Sequence, residues 1–221
     1  MWQAIWLIVA KDFAIERRSR QMLAAMLVFS ILVILIFNFA LELDARARLN
    51  TTAGILWSTF AFAGTLGLNR SMALEAENKS MDGLLSAPID RSAIFFGKFI
   101  GNLMFMIIVE AITLPIYSVL YNVNLIDLRL IGVLLLGSIG YASVGTLLSA
   151  MAVQTRTRDL LLPVLLFPIV IPLLVAAVRA SSGILNGSPI DFILPAVNLM
   201  IVFDLVMIAL AYMFFDYIVE E

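Results

Sequence analysis

Six long apolar runs constrain this chain more than any other feature of its sequence. A helix that crosses the hydrocarbon core of a bilayer needs about 20 predominantly apolar residues. Four of the runs contain no charged residue and the other two contain one each. They cover residues 21–41, 49–69, 99–126, 130–155, 160–178 and 192–215. The sequence therefore predicts an all-α, polytopic membrane protein, with six transmembrane helices in one transmembrane domain over residues 1–221.

Composition excludes several classes of function. Only 14% of the 221 residues are charged, against about 25% in an ordinary soluble domain, and few residues remain outside the runs for a soluble catalytic domain. A net charge of −2 argues against a nucleic-acid partner, because such binding depends on positive charge. The chain contains no His and no Cys, which removes the commonest metal ligand, the commonest general base and every thiolate site. We expect no metal site and no catalytic residues.

The distribution of positive charge predicts the orientation in the membrane. Lysine and arginine remain on the cytoplasmic side of short loops. With the N-terminus inside, ten of the 14 Lys and Arg residues fall on the inner side. The first apolar run is too long for a signal peptide and lacks a small-residue cleavage site after it. We therefore expect a multi-pass protein with both termini in the cytoplasm.

Residues 1–20 precede the first run and carry their own helical pattern. Apolar residues recur at helical spacing among charged ones. These apolar residues are Trp2, Ile5, Trp6, Val9 and Phe13. The pattern predicts an amphipathic helix lying in the cytoplasmic interface. Two roles are open for it, an elbow that orients the bundle or a simple anchor.

The longest polar stretch lies between the second and third runs. Residues 71–87 contain no proline and one glycine, and Pro88 follows them. Because proline disfavours helix at the residue before it, the sequence predicts a short polar helix over 71–87 that ends there. Asp90 or Ser92 can cap the next membrane helix, which we expect to pass Lys98 at the interface. Such a loop is either a solvated connector or a docking element.

The amino-acid sequence of this loop resembles a known sequence motif. The run ENKSMDGLLSAPIDRSAIFFGK, from Glu77 to Lys98, is similar to the cytoplasmic loop in permease subunits of type-2 ATP-binding-cassette (ABC) exporters. In that class an acidic residue, a Leu-Leu pair, a proline and a later Gly-Lys form a coupling helix that docks on the ATPase. The resemblance implies that ATPase docking involves Glu77, Asp82, Gly83, Leu84, Leu85, Pro88 and Arg91.

Within that class the whole chain resembles the haem exporter B family, the permease subunit of the cytochrome c maturation system. Its length, its six runs and the proline-rich fifth run, LLLPVLLFPIVIPLLVAA, carry the likeness. The resemblance implies partners in the bacterial inner membrane: a second copy of the chain, a pair of ABC ATPase subunits, a haem-handling membrane subunit and a haem chaperone, besides membrane lipid. It also implies that this chain binds no cofactor, because ATP belongs to the partner subunit and haem is handled by the complex.

The implied function is to couple ATP hydrolysis in a separate subunit to haem export or to release of the haem-loaded chaperone. Haem iron is normally held by His, Cys, Met or Tyr, and this chain has only the last two, which favours chaperone release. The chain has no G-x-x-x-x-G-K-[ST] phosphate loop, so it is not expected to be an enzyme. Three alternatives are open: a non-transporting scaffold, a type-2 exporter permease for lipid or drug, and an intramembrane enzyme built on carboxylates.

Two charged residues fall inside the runs. Glu110 and Asp204 lie near the middle of the third and sixth runs, where a charge costs about 2.5–3.5 kcal/mol on insertion scales. They either form a polar pathway or switch, or they are protonated and bonded to polar residues on nearby helices. The candidate partners are Asn102, Asn198, Thr113 and Ser143.

Small residues, prolines and one outer segment complete the pattern. Small residues recur four apart, a spacing that lets helices approach closely within one protomer or between two. They are Ser138, Ala142, Thr146 and Ala150 in one row, and Ala63, Gly67 and Ser71 in another. The fifth run contains Pro163, Pro168 and Pro172, which favour a packing kink over a substrate site. The turn-rich segment 179–195 is expected to dip back into the outer leaflet.

Overall fold

A computed structural model describes residues 1–40, 45–78, 90–152 and 158–219. These residues form seven helices and no strand. The helices are α1 (Trp2–Ser19), α2 (Gln21–Ala40), α3 (Ala45–Asn78), α4 (Arg91–Tyr121), α5 (Leu128–Ala152), α6 (Arg158–Leu185) and α7 (Ile190–Val219).

Five of these helices, α2, α4, α5, α6 and α7, are long and apolar enough to cross a membrane. The all-α, polytopic fold class is therefore confirmed. The second predicted run, 49–69, lies within α3, which is long enough but is not one of the five. Its apolar residues are interspersed with hydroxyl groups, and most of residues 51–68 are buried against α2, α4, α5 and α6. A helix surrounded by helices needs little lipid-facing apolar surface, and its crossing stays a prediction.

Helices α3 and α5 form the centre of the bundle. Each packs against four other helices, while α4 beside them packs against five, and large buried aromatic rings fill the space between α3 and α5. Trp57 Nε1 on α3 donates to the Ser181 hydroxyl on α6 at 3.0 Å, and the Tyr141 hydroxyl on α5 donates to the Ala61 carbonyl on α3 at 2.5 Å. Inside a membrane such groups have no water to bond, so each pairing satisfies a polar atom while it joins two helices.

Helix α1 packs on the bundle with one side and leaves its tryptophans exposed. Ile5 and Val9 are buried, whereas Trp2 and Trp6 are 69% and 56% exposed. The bundle therefore covers one edge of the predicted apolar face and leaves its other edge exposed; the position of α1 in the membrane interface stays a prediction. Ile5 and Val9 are buried because α1 lies along α4, where Ile8 approaches Gly97. Trp2 and Trp6 remain outside this contact.

The outer segment 179–195 is not a separate re-entrant loop, and that prediction is wrong. Helix α6 continues to Leu185, through all three of its prolines, and α7 begins at Ile190. Gly187 has a φ of 67°, a conformation that glycine adopts without strain. Its N–H bonds to the Ile184 carbonyl, and the next N–H bonds to Gly183, which is the Schellman pattern for ending a helix. A tight turn thus replaces the expected loop.

Candidate functional site

The structure places the two ends of the predicted ATPase-docking segment. Glu77 lies in the last turn of α3, and Arg91 is the first residue of α4. The other predicted docking residues, Asp82, Gly83, Leu84, Leu85 and Pro88, lie outside the described residues. Residues 71–78, the first part of the predicted coupling helix, continue α3 without a break after the run 49–69. The segment 79–89 therefore joins the ends of two long helices.

The start of α4 lies where the sequence predicts it, but without the predicted cap. Asp90 occupies the N-cap position, and its carbonyl accepts the Ala93 N–H at 2.9 Å, but its side chain makes no capping hydrogen bond. The predicted side-chain cap by Asp90 is therefore wrong. The Lys98 side chain is only 2% exposed, because α1 covers this turn of α4; its position at the membrane interface stays a prediction.

A buried ion pair joins α1 to α4. Lys98 Nζ donates to both carboxylate oxygens of Asp12, at 2.9 and 2.8 Å. Gly97 allows this close approach, because a β-carbon there would lie 2.8 Å from Ile8 Cβ. Removing one member of a buried pair typically costs about 3–5 kcal/mol, since the other charge is left uncompensated. The pair therefore fixes α1 firmly against the beginning of α4.

Glu16, one turn further along α1, holds the start of α2. Its carboxylate accepts the backbone N–H groups of Met22 and Leu23 at 3.3 and 2.9 Å. The N-terminus of a helix carries unpaired N–H groups and a partial positive charge, which a carboxylate satisfies. Between the two helices Arg20 has a left-handed backbone conformation, with a φ of 54°. Helix α1 is thus bonded to both α2 and α4.

These contacts meet around a small cavity, which we call the N-terminal junction and define by Asp12, Glu16, Ser71 and Lys98. The cavity has a volume of about 30 Å³ and these four residues form part of its lining, so it has room for about one or two waters. Ser71 belongs to the part of α3 that extends toward the docking segment. Helices α1, α3 and α4 therefore share one polar contact region, which favours the elbow interpretation of α1 over a simple anchor.

The intramembrane Glu110 finds a partner on the neighbouring helix. It is 4% exposed, and the Ser138 hydroxyl of α5 donates to its Oε1. None of the four predicted partners bonds to its carboxyl group, so that expectation is wrong; Thr113 reaches only the backbone carbonyl of Glu110. Asn102 donates to Thr146, Thr113 and Ser143 donate to carbonyls of their own helices, and Asn198 is exposed. A hydroxyl on a helix always has such a carbonyl within reach, whereas Ser138 faces α4.

Asp204 on α7 is buried without a partner. It is 4% exposed, and neither carboxylate oxygen has a hydrogen bond within the described residues. It packs against Gly140 of α5, where any β-carbon would collide with Oδ1. Ser138 and Gly140 are two residues apart, which is about 200° around a helix. Glu110 and Asp204 therefore lie against different faces of α5 and do not form the carboxylate pair that an intramembrane enzyme would need.

Comparison with known proteins decides the family. The family model described as "CcmB protein" matches residues 3–216. The chain belongs to the CcmB protein family. Its relatives include Heme exporter protein B of Rhodobacter capsulatus, 27% identical over 169 residues that cover 76% of this chain and 78% of the relative. Those of Pseudomonas aeruginosa and Bradyrhizobium diazoefficiens are 24% and 23% identical, covering 83% and 86% of this chain and 82% and 85% of theirs.

The family match confirms the resemblance inferred from the loop and from the proline-rich run. It extends from α1 to α7, so the N-terminal junction and both buried carboxylates lie within the CcmB family region. Of the two alternatives for the small-residue row of α5, the structure shows packing inside the protomer, because Ser138 and Thr146 bond to Glu110 and Asn102 of α4. This CcmB family member is thus a multi-pass helical membrane protein whose polar side chains are concentrated at contacts between helices.

Proposed function

We propose that this chain is the permease subunit of an ABC transporter in cytochrome c maturation. It couples ATP hydrolysis by a separate subunit to haem export or to release of a haem-loaded chaperone. The observation that supports this proposal is the continuity of α3 and α4 around the predicted docking segment: α3 ends at Asn78 and α4 begins at Arg91. A force applied to residues 79–89 would reach the bundle through these two helices.

The N-terminal junction extends this route to the rest of the protein. A displacement of the first turns of α4 moves Lys98, which is bonded to Asp12 of α1 at two oxygens. Because a bidentate, charge-assisted contact restricts both distance and orientation, α1 moves with α4. Glu16 then carries the motion to α2. On the other side of α4, the contacts of Asn102 and Glu110 carry it to α5.

The proposed assembly is the one that the family resemblance implies, and the predicted orientation in the membrane fits it. With both termini in the cytoplasm, the docking segment and the junction face the compartment that contains ATP. The partners are a pair of ABC ATPase subunits, a second copy of this chain, a haem-handling membrane subunit and a haem chaperone on the far side. The chain itself binds no cofactor in this proposal. Its relatives carry the name Heme exporter protein B, and the complex, rather than this subunit, provides the haem ligands.

Co-purification tests the docking step. The tagged wild-type chain is expected to retain the ATPase subunit, and Leu84→Asp is expected to lose it, because an apolar residue at a docking helix fills a groove on the partner. The matched control is Leu128→Asp at the opposite end of the bundle, where Leu128 is 85% exposed. Retention of the ATPase and normal cytochrome c levels in Leu84→Asp would show that the coupling interpretation is wrong.

A second candidate function is mechanical coupling without passage of haem through this chain. It is favoured by the filled interior, where Trp57 and Tyr141 occupy the space between α3, α5 and α6 and are hydrogen-bonded. Vesicles that contain only this chain and its ATPase separate the two candidates. ATP-dependent accumulation of haem would support export, whereas chaperone release that depends on ATP without haem accumulation would support coupling alone.

A further inference from the structure

A cavity beside α1 combines apolar walls with two arginines. Its volume is about 910 Å³, and it lies between α1 and α2 with one contribution from α4. Phe13, Leu23, Leu27 and Phe105 belong to its apolar lining, while Arg17 and Arg20 line it at the end of α1. Apolar walls next to two positive groups fit a molecule that is itself amphipathic and anionic.

Within the described part of the chain, no acidic side chain pairs with either arginine. Arg129, which lines a cavity near the opposite ends of the helices, is bonded to Asp127 at 2.8 Å. Glu16 also borders the α1–α2 cavity, but its carboxylate already accepts backbone N–H groups from the first turn of α2. The charge balance of this cavity is therefore positive, and both guanidinium groups are available for an anion.

The backbone at Arg20 gives a second indication that its side chain has a role. Arg20 follows α1 directly, has a φ of 54°, and its N–H bonds to the Glu16 carbonyl at 2.7 Å. Glycine is the usual residue at such a helix end, because other residues adopt this conformation at a cost. An arginine here carries that cost while adding a guanidinium group to the cavity.

We propose that this cavity binds one anionic phospholipid of the cytoplasmic leaflet. Its phosphate lies between Arg17 and Arg20, and an acyl chain runs along Phe13 and Leu27. Guanidinium groups bind phosphate through two parallel hydrogen bonds, and basic pockets between membrane helices on the cytoplasmic side suit acidic head groups. The positive-inside orientation places both arginines at that leaflet. A lipid provides the anion and the apolar chain in one molecule, whereas a free phosphate leaves the walls uncovered.

Lipid retention by the purified full chain tests the proposal. The chain in neutral detergent is mixed with phosphatidylglycerol or phosphatidylcholine of identical acyl chains, and bound lipid is counted by native mass spectrometry. We expect phosphatidylglycerol to be retained preferentially, and the preference to fall about tenfold in Arg17→Gln/Arg20→Gln. Thermal unfolding with each lipid is expected to show the same order. Equal retention of the two lipids by the wild-type chain would overturn the proposal.

Arg18 provides the matched control. It is exposed on the same turn of α1 but does not line the cavity, so Arg18→Gln removes the same charge beside the site. We expect Arg18→Gln to keep the preference for phosphatidylglycerol, while Arg17→Gln and Arg20→Gln each weaken it. An equal loss in all three would show general attraction to the anionic surface and would overturn a specific site. Complete competition by glycerol 3-phosphate would overturn it in favour of a free phosphate site.

A second copy of this chain is the remaining alternative occupant. Because the chain contains no cysteine, Leu27→Cys introduces a single thiol into the cavity wall. A high yield of disulfide-linked dimer after oxidation in native membranes would place a second copy there and overturn the lipid assignment. We expect the Leu27→Cys chain to remain monomeric on a denaturing gel.

Discussion

At the scale of single residues, Asp204 and Glu110 are both buried carboxyls with opposite surroundings. Glu110 accepts a hydrogen bond from Ser138, while both oxygens of Asp204 lack a partner within the described residues. A buried polar group without a hydrogen bond costs about 1–3 kcal/mol, and replacing it by an apolar group of the same shape recovers that cost. The two positions therefore predict opposite responses to substitution.

For Asp204 the informative change is to leucine, which has the same branching at the γ-carbon. We expect Asp204→Leu to stabilise the chain by about 1–3 kcal/mol, because the carboxyl packs against Gly140 and Leu173 without a hydrogen bond. Unfolding in mixed detergent micelles measures the change. A stabilised chain that fails to support cytochrome c maturation would assign Asp204 a role in function, and a destabilised chain would contradict the unpaired state of its carboxyl group.

For Glu110 the informative comparison is between the two ends of its hydrogen bond. We expect Glu110→Gln to keep near wild-type stability, because the amide oxygen still accepts from Ser138. Ser138→Ala is expected to cost about 1–3 kcal/mol, since it leaves the buried carboxyl unpaired. Ser143→Ala is the control, because that hydroxyl bonds only to a carbonyl of its own helix. Normal assembly without cytochrome c maturation in Glu110→Gln would indicate a switch that requires the acid.

At the scale of the elements, the contact between α1 and α4 depends on one buried ion pair. Lys98→Met leaves Asp12 buried without its lysine, and we expect a loss of about 3–5 kcal/mol. Lys11→Met is the control, because Lys11 also contacts Asp12, at 3.3 Å, but is 31% exposed, and exposed pairs contribute about 0–1 kcal/mol. Unfolding midpoints measure both. Equal effects of the two substitutions would contradict a special role for the buried pair.

The helices themselves could largely be predicted from the sequence, because an uncharged run of membrane length has few other structures open to it. Their ends could not. The continuity of α3 from the run 49–69 to Asn78 falls in polar sequence, and the continuation of α6 to Leu185 depends on the turn at Gly187. The start of α4 is the exception, because Asp90 is a predicted cap and occupies the N-cap position. The charge pattern of such segments does not distinguish a helix end from a loop.

The candidate site could be predicted less well, since its contacts join distant parts of the chain. Asp12 and Lys98 are 86 positions apart, and no local pattern pairs them. One signal was present: Asp12 and Glu16 are four residues apart and share a face of α1, among apolar residues that become buried. The intramembrane carboxyls were found as charges inside apolar runs, but their partners were not, because Ser138 resembles any other small residue of α5.

At the scale of the whole molecule, the N-terminal junction connects the predicted docking segment to three helices. The Asp12–Lys98 ion pair either transmits motion from α4 to α1 or only stabilises the fold. These roles separate in the double variant Asp12→Leu/Lys98→Met. Replacing both members of a buried pair by apolar residues of similar volume is often neutral or stabilising, so we expect this variant to fold and to bind its ATPase.

The double variant nevertheless lacks the bidentate contact that makes α1 follow α4. If the proposed function holds, the complex containing it is expected to hydrolyse ATP at a rate near that of the wild-type complex. ATP-dependent release of the haem-loaded chaperone is expected to fall roughly tenfold. A factor of ten corresponds to losing about 1.4 kcal/mol of the coupling free energy between the docking segment and the rest of the bundle. The two rates are measured in the reconstituted complex, with Arg18→Gln as a control in the same helix. Wild-type release by the double variant would restrict the Asp12–Lys98 pair to a structural role, since the folded bundle would then transmit the motion without it.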